Sequence, residues 1–183
     1  MKTKNLTLLL ALGAVATSVG VVSATAKPAR AARPAALASA PLKAVDGTPR
    51  GKAWIANHNG KWELKIEATG LTPGAHGAHI HAVGKCEAPD FSTAGGHLNP
   101  HAKMHGMANP QGPHLGDLPN LIAGTDGKGT LTAGLTGTAA ELTAALFDAD
   151  GAAVVIHAGP DDNRTDPSGN SGGRVACGVL TRG

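Results

Sequence analysis

One segment of alternating side chains constrains the fold more than any other part of the chain. In residues 61–68 (K-W-E-L-K-I-E-A), apolar residues at every second position alternate with charged ones. This period of two predicts a β-strand with one buried face. The preceding Asn59-Gly60 pair is typical of a two-residue hairpin turn, which predicts a partner strand over residues 51–56. An antiparallel hairpin of this kind favours an all-β fold.

The rest of the chain continues with short strands and turns. It contains 26 glycines and only 2% aromatic residues, which is more typical of a β-rich fold with many turns than of a helical bundle. Residues 139–147 have room for a turn or two of helix. Further strands are predicted over residues 75–82, 121–124, 130–136, 153–157 and 174–180. The stretches 84–118 and 159–173 lack periodicity, and loops of that length in a compact domain are usually functional.

The first 26 residues have the composition of an export signal. A basic start precedes an apolar run from Leu6 to Val22, and residues 24–26 (A-T-A) form a small-residue cleavage motif. The apolar run is short for a membrane span and contains glycine, serine and threonine. We therefore expect export and cleavage after Ala26, rather than a retained anchor, leaving no stable membrane span.

Residues 27–41 are rich in alanine and proline with scattered basic side chains, which predicts a disordered linker. A single domain is then expected over residues 42–183. The basic linker accounts for part of the sequence pI of 9.0. The net charge of +3 is therefore weak support for nucleic-acid binding, and the chain has no basic run interleaved with aromatic side chains.

Two cysteines, Cys86 and Cys177, remain after the expected cleavage. In an oxidising compartment they are expected to pair, the alternative being two separate buried thiols. A bridge closing a loop of about 90 residues contributes roughly 4–5 kcal/mol in the chain-entropy treatment of disulfides.

Seven side chains in the middle of the chain are spaced like metal ligands: His79, His81, His97, His105, His114, Asp117 and His157. Imidazole and carboxylate groups suit zinc and copper(II). Seven such groups exceed what one four-coordinate metal uses. The chain therefore holds either two metals or one metal with several idle histidines.

The histidines at the strand positions suggest one of these sites. His79 and His81 are two residues apart in a predicted strand, so both point to one face, roughly 6–7 Å apart. They are either a ligand pair or one ligand beside a structural histidine. His157 ends the most apolar predicted strand and is either a core residue or the third ligand of a copper site with this pair.

The long first stretch suggests the other site. His97, His105, His114 and Asp117 lie within 21 residues. Three imidazoles and a carboxylate complete a tetrahedral structural zinc site with no open position, which argues against a hydrolytic zinc enzyme. Zinc would also order so long a loop. The alternative is a solvated loop that is merely rich in histidine.

Six motifs, in order, resemble the copper/zinc superoxide dismutase family. They are GAHGAHIHxxGxC (74–86), GGHLNP (95–100), HG (105–106), HLGDL (114–118), VVIH (154–157) and GGRVACG (172–178). The resemblance covers roughly Lys52 to Leu180, and GDLP at 116–119 is similar to the bacterial periplasmic branch. It implies an eight-stranded, flattened Greek-key β-barrel, an immunoglobulin-like sandwich with two long functional loops.

The resemblance also implies a role for each candidate residue. The copper ligands it implies are His79, His81, His97 and His157; the zinc ligands are His97, His105, His114 and Asp117, with His97 bridging the metals. The other matched residues are Arg174 beside copper, Asp161 holding one copper and one zinc histidine, the Cys86–Cys177 disulfide, and His76 as a structural histidine.

The implied activity is antioxidant defence outside the cytoplasm. One copper and one zinc per subunit would dismutate superoxide to oxygen and hydrogen peroxide, with His97 and Arg174 catalytic. We expect a periplasmic, secreted or cell-envelope protein that is a monomer or homodimer and binds no nucleic acid. Two alternatives stay open: a non-catalytic copper/zinc-binding protein on the same fold, and a structural sandwich ordered by zinc alone.

One departure from the family concerns substrate guidance. Residues 160–167 carry acidic charge and no lysine. Guidance of the anion is therefore expected to depend on Arg174, helped by Arg164 or Lys85. His58 and His101 lie outside the motifs and are expected to be solvated.

Overall fold

A computed structural model describes residues 36–183. It contains ten strands, one helix and one 3-10 turn. The elements are β1 (Ala36–Lys43), β2 (Pro49–His58), β3 (Lys61–Ala68), β4 (Gly74–His76), β5 (Ala78–His81), the 3-10 turn (Ser92–Ala94), β6 (Leu121–Ala123), β7 (Gly129–Leu135), α1 (Ala139–Leu146), β8 (Ala153–His157), β9 (Arg174–Val179) and β10 (Thr181–Arg182).

The predicted hairpin is the centre of the sheet. Strand β3 has the predicted boundaries, and β2 pairs with it along the whole length from Gly51 to His58. Asn59 and Gly60 have φ angles of 51° and 84°, the left-handed conformation that a tight hairpin turn requires. Leu64 and Ile66 are fully buried, as the alternation predicts.

The strands close into an almost complete antiparallel barrel. They are ordered β4-β6-β7-β3-β2-β1-β9-β8-β5, with β10 beside β1. The two outermost strands, β4 and β5, are consecutive in the chain and joined by Gly77. Gly77 donates its N–H to the carbonyl of Gly159 and accepts the N–H of His157, both at 2.8 Å, which fixes the junction of the two edge strands against the end of β8. The expected eight strands appear as ten because residues 74–81 are interrupted at Gly77 and 174–182 at Leu180.

The predicted linker is wrong over residues 36–41, which belong to β1. Ala38 and Ala40 point into the barrel with Leu42 and are fully buried. Alanine side chains at every second position can fill the interior of the barrel where the strands pack closely. The alanine-rich composition that predicted disorder therefore also suits this strand. The ordered domain therefore includes Ala36. The predicted signal peptide lies outside the described residues.

Strand β5 separates the core from the face that carries the histidines of the motifs. Ala78 and Ile80 belong to the aliphatic core, so His79 and His81 point outward from the barrel wall. Both histidines are nevertheless buried, because two long loops cover this face. The first loop comprises residues 82–120 and the second loop residues 158–173. No helix in the described range is long and apolar enough to cross a membrane.

Candidate metal centre

The first loop returns twice along the outer side of β5. The Ile80 N–H donates to the Gly116 carbonyl and the Ile80 carbonyl accepts the Leu98 N–H, both at 2.8 Å. This backbone pairing places Asp117 opposite His79 and His97 opposite His81. Groups that are 16 to 38 residues apart in sequence therefore meet on one face of the barrel.

Four of the predicted residues form one cluster. Their ring nitrogens lie within 4.8 Å of one another: His79, His81, His97 and His157. The ring centres of His79 and His81 are 6.2 Å apart, as the strand spacing predicts. His157 joins the pair because β8 is the neighbour of β5 in the sheet.

In this cluster each imidazole has one anchored nitrogen and one free nitrogen. His81 Nδ1 donates to the Gly95 carbonyl at 2.9 Å, His157 Nδ1 donates to the Gly172 carbonyl at 3.0 Å, and His79 Nε2 donates to Asp161 Oδ2 at 2.7 Å. The remaining nitrogens are buried and have no hydrogen-bond partner within residues 36–183: His79 Nδ1, His81 Nε2, His97 Nε2 and His157 Nε2. Four buried lone pairs without a donor fit a metal ion, since buried polar atoms are otherwise hydrogen-bonded.

Burial also keeps three of these histidines neutral, as their lowered pKa values indicate. Burial lowers the pKa of His81 to about 2, and the neighbouring His97 adds to the effect. Burial likewise lowers the pKa of His97 and of His157 to about 4 each. A neutral imidazole is the form that binds a metal, so these three side chains can bind one at neutral pH.

The second cluster gathers around one carboxylate. The Nδ1 atoms of three histidines converge on Oδ1 of Asp117: His97 at 2.9 Å, His105 at 3.1 Å and His114 at 3.2 Å. Oδ2 of Asp117 accepts the backbone N–H groups of Gly106 and His114 at 2.8 and 3.0 Å. Burial acts to raise the pKa of Asp117, but the hydrogen bonds from His97 and Gly106 outweigh it and hold the pKa well below its usual range. Three imidazoles and one ionised carboxylate are a donor set that suits zinc.

His97 belongs to both clusters. Its Nδ1 faces Asp117, and its Nε2 is among the four free nitrogens of the other cluster. One imidazole with a nitrogen in each cluster is the geometry of a bridging ligand.

Asp161 links the two clusters from behind. Its Oδ2 accepts His79 Nε2 at 2.7 Å and its Oδ1 accepts His105 Nε2 at 3.0 Å. Burial acts to raise the pKa of Asp161, but these two hydrogen bonds outweigh it and lower the pKa to about 2. Asn120 clamps the backbone of Asp161 with two hydrogen bonds of 2.8 Å. The predicted alignment of Asp161 rested on its distance from His157, and the structure places it between these histidines.

Glycine 169 lets the second loop pass over this link. Its φ of 62° is left-handed, and a β-carbon there would collide with Asp161 and come close to His105. Any other residue at this position would push the loop away from both clusters.

An open cleft leads from solvent to the first cluster. Its volume is about 420 Å³, and it is lined by His81, Gly96, His97, Asn99, Lys103, His114, His157, Asp166, Pro167, Ser168, Gly172 and Arg174. Arg174 is held there by hydrogen bonds to the carbonyls of Phe91 and Gly95, at 2.6 and 2.7 Å. Among the described residues the lining cations are Arg174 and Lys103. Arg164 and Lys85, expected to help guide the substrate, do not line the cleft.

Sequence reasoning missed Lys103, Asn120 and Asp166. Each lies within five residues of a predicted ligand or of Asp161, but none belongs to a motif with a known spacing. The signal that was available for Lys103 is its position two residues before the predicted zinc ligand His105, in the sequence H-A-K-M-H.

The remaining predictions about single residues are consistent with the structure. Cys86 and Cys177 form a disulfide across 91 residues, which joins the first loop to β9 three residues from Arg174. His76 bonds the carbonyls of His157 and Thr72, at 2.7 and 2.8 Å, and belongs to neither cluster. His58 and His101 are exposed.

Comparison with known proteins gives concordant matches. The family model described as copper/zinc superoxide dismutase (SODC) matches residues 49–180. The chain is 46% identical over 139 residues to superoxide dismutase [Cu-Zn] 1 of Aquifex aeolicus, covering 73% of this chain and 81% of that protein. It is 44% identical over 149 residues to superoxide dismutase [Cu-Zn] of Caulobacter vibrioides, covering 78% and 84%. The crystal structure of a SOD-like protein from Bacillus subtilis matches with a TM-score of 0.71 and 40% identity, covering 78% of this chain and 97% of that one.

Proposed function

The chain belongs to the copper/zinc superoxide dismutase family, and from that premise we propose which of its residues carry each part of the reaction. The protein is an oxidoreductase that converts superoxide to oxygen and hydrogen peroxide with copper and zinc as cofactors. The assignments of ligands, proton carrier and substrate anchor are the proposal.

The proposed copper ligands are His79 Nδ1, His81 Nε2, His97 Nε2 and His157 Nε2. The observation that carries this assignment is that these four buried nitrogens have no hydrogen-bond partner in the part of the chain that the structure describes. The proposed zinc ligands are the Nδ1 atoms of His97, His105 and His114 with the carboxylate of Asp117. Copper supplies the one-electron oxidation and reduction of superoxide, whereas zinc has no redox chemistry.

His97 is the proposed proton carrier. Its Nδ1 stays fixed on the side of Asp117, while its Nε2 faces the first cluster, and His97 is one of the residues that line the cleft. Nε2 would accept a proton when it is not bound to copper, and would donate that proton to the reduced substrate anion while the ring stays in position. Such a proton transfer by a fixed histidine is general acid catalysis.

Arg174 is the proposed substrate anchor. Two of the five guanidinium N–H donors are used on carbonyl oxygens, which leaves donors free for an anion in the cleft. The guanidinium cannot lose its charge at physiological pH. It therefore both attracts superoxide and orients it beside His81 and His157, which line the same cleft.

Superoxide decay measured by stopped flow tests these assignments. The protein is loaded with one copper and one zinc and compared with His157→Ala and Arg174→Ala. We expect fast decay that is lost in the first variant, together with its copper, and reduced in the second with copper retained. Copper bound without decay above the buffer background would instead favour a non-catalytic metal-binding protein.

We further propose that the protein is exported, cleaved after Ala26 and periplasmic, secreted or attached to the cell envelope. The signal-like composition of residues 1–26 and the Cys86–Cys177 disulfide support this location. N-terminal sequencing of the protein from the culture medium and from the cell envelope tests it, with retention of Met1 in the cytoplasm as the contrary result. Light scattering on the same material decides between a monomer and a homodimer.

A further inference from the structure

We propose that Asp166, which lies outside both ligand sets, is a positioning residue that holds two zinc-binding histidines in place. The proposal rests on the zinc ligands assigned above. It has a second part: the same carboxylate stands at the substrate entrance, where it opposes the approach of superoxide. The Asp166 carboxylate therefore favours zinc retention and disfavours substrate attraction.

The first contact is a hydrogen bond between the two loops. Oδ1 of Asp166, in the second loop, accepts the backbone N–H of His105 at 2.6 Å, across 61 residues of sequence. A charge-assisted bond of this length is among the stronger hydrogen bonds in proteins. It fixes the backbone of a residue whose ring is directed at Asp117.

The second contact concerns His114. Its Nδ1 is directed at Asp117, so Nε2 is the outer nitrogen, and Oδ1 of Asp166 lies 3.9 Å from it. This distance is too long for a direct hydrogen bond but short enough for an electrostatic interaction with a side chain that is only 7% exposed. The negative charge stabilises the partial positive charge that an imidazole gains when its other nitrogen binds a cation.

The outer nitrogens of the zinc histidines support this role for Asp166. His97 Nε2 faces the copper ligands, and His105 Nε2 bonds Asp161 at 3.0 Å. His114 is the remaining member of the set, and Asp166 is the carboxylate near its outer nitrogen. Carboxylates in this position raise the basicity of a metal-binding histidine and fix its ring.

The second loop is built to present Asp166. Oδ1 of Asp162 accepts the N–H groups of Arg164 and Thr165 at 2.9 and 2.8 Å. The Thr165 carbonyl in turn accepts the Gly169 N–H at 2.7 Å. These bonds form a closed turn around Asp166, so its position does not depend on the metal alone.

The opposing effect follows from exposure. The carboxylate of Asp166 is 41% exposed and lines the cleft together with Arg174 and Lys103. A negative charge at this entrance lowers the local concentration of an anionic substrate. Removing the charge should therefore speed the reaction with superoxide while it weakens the zinc site.

Zinc release from the fully metallated protein tests the first part. Transfer of zinc to a coloured chelator is followed for the unsubstituted protein, Asp166→Asn, Asp166→Ala and the control Asp126→Asn, which removes an exposed carboxylate far from the cleft. We expect Asp166→Ala to release zinc about 10–100 times faster. Asp166→Asn should release zinc at a rate between those of the unsubstituted protein and Asp166→Ala, because its amide oxygen keeps the bond to His105 but carries no charge.

Two further readouts separate positioning from general loosening. With Co²⁺ in the zinc position, the visible absorption bands should shift in Asp166→Asn, since they report the ligand field directly. The rate with superoxide should rise in Asp166→Asn at low ionic strength and converge with that of the unsubstituted protein at high salt.

Equal zinc release and equal Co²⁺ spectra in the Asp166 variants and Asp126→Asn would overturn the role of Asp166 and leave the ligand assignment intact. Failure of the unsubstituted protein to hold zinc or Co²⁺ would overturn the ligand assignment and this proposal together. A low-salt rate in Asp166→Asn no higher than that of the unsubstituted protein would overturn the second part.

Discussion

Arg174 and His81 hydrogen-bond the same oxygen atom. Nη2 of Arg174 and Nδ1 of His81 both donate to the carbonyl of Gly95, at 2.7 and 2.9 Å. The guanidinium in the cleft and one of the proposed copper ligands therefore share an anchor in the first loop. Any shift of the Gly95 carbonyl moves both of them together.

This shared anchor makes arginine difficult to replace by lysine. A lysine at position 174 has one compact charged group and cannot reach the carbonyls of Phe91 and Gly95 at once. We expect Arg174→Lys to reduce kcat/KM for superoxide about tenfold, with copper content unchanged. Pulse radiolysis gives the rate and mass spectrometry of the metals gives the content. Arg182→Lys is the matched control, and an equal decrease there would argue against a specific role for Arg174.

Lys103 should guide superoxide into the cleft. Asn99 holds the backbone of Lys103 with two hydrogen bonds, of 2.8 and 2.9 Å, so its side chain starts from a fixed point at the entrance. We expect Lys103→Gln to lower kcat/KM two- to fivefold at low ionic strength, roughly what the loss of one guiding charge produces, and to weaken the salt dependence. Lys61→Gln, on the far hairpin, removes the same charge. The same decrease in both variants would indicate a net-charge effect only.

Asp161 should affect both metals at once, because it bonds His79 on the copper side and His105 on the zinc side. In Asp161→Asn the amide NH₂ faces one of these ring N–H donors, and that hydrogen bond is lost. We expect the affinities for copper and zinc each to fall about 10–100-fold. Competition with chelators measures both values. The control is Asp150→Asn, an exposed carboxylate; loss of only one metal in Asp161→Asn would contradict the linking role.

The metal-free protein should lose stability as the pH falls through the range from 6.5 to about 4. The folded-state pKa values of His97 and His157 are about 4, and that of His81 is about 2, all below the unfolded value of 6.5. In this window the unfolded chain binds more protons than the folded one, so the free energy of unfolding rises with pH. The contribution of these histidines to stability is fully present above pH 6.5. Urea titrations at about pH 5 and pH 7.5 measure it. The difference in the free energy of unfolding between the two pH values should shrink in His157→Gln. It would be absent if these histidines were protonated in the folded state.

Loss of the disulfide should affect catalysis as well as stability. Cys86 anchors the part of the first loop that contains the Phe91 and Gly95 carbonyls, and these hold Arg174. We expect Cys86→Ser with Cys177→Ser to lower the free energy of unfolding by roughly 4 kcal/mol and to lower kcat/KM at a temperature where the variant is fully folded. Denaturant titration and stopped flow give the two values. An unchanged rate would mean that the loop holds Arg174 without the bridge.

Local patterns were sufficient wherever local physics decides the structure. The alternation in residues 61–68 predicted β3 to the residue, and the apolar run at 153–157 predicted β8. The Asn59-Gly60 turn was predicted for the same reason, since its conformation depends on two residues. In residues 36–41 the local composition was misleading, because alanine is accepted in a strand only when a partner strand packs against it. That partner, β2, is a property of the folded chain.

The sequence by itself determined most of the strands, the two long loops, the disulfide partners and the seven candidate ligands, since each depends on residue type, period or spacing. Only the tertiary structure decided which nitrogen of each histidine is free, that His97 has one nitrogen in each cluster, and that Lys103 and Asp166 stand at the entrance. These features depend on contacts that β5 and β8 make with the two loops. One such contact joins His79 and Asp161, which are 82 residues apart in the chain. Distances of a few ångströms between such segments are set by how the whole barrel closes, and no local pattern encodes them.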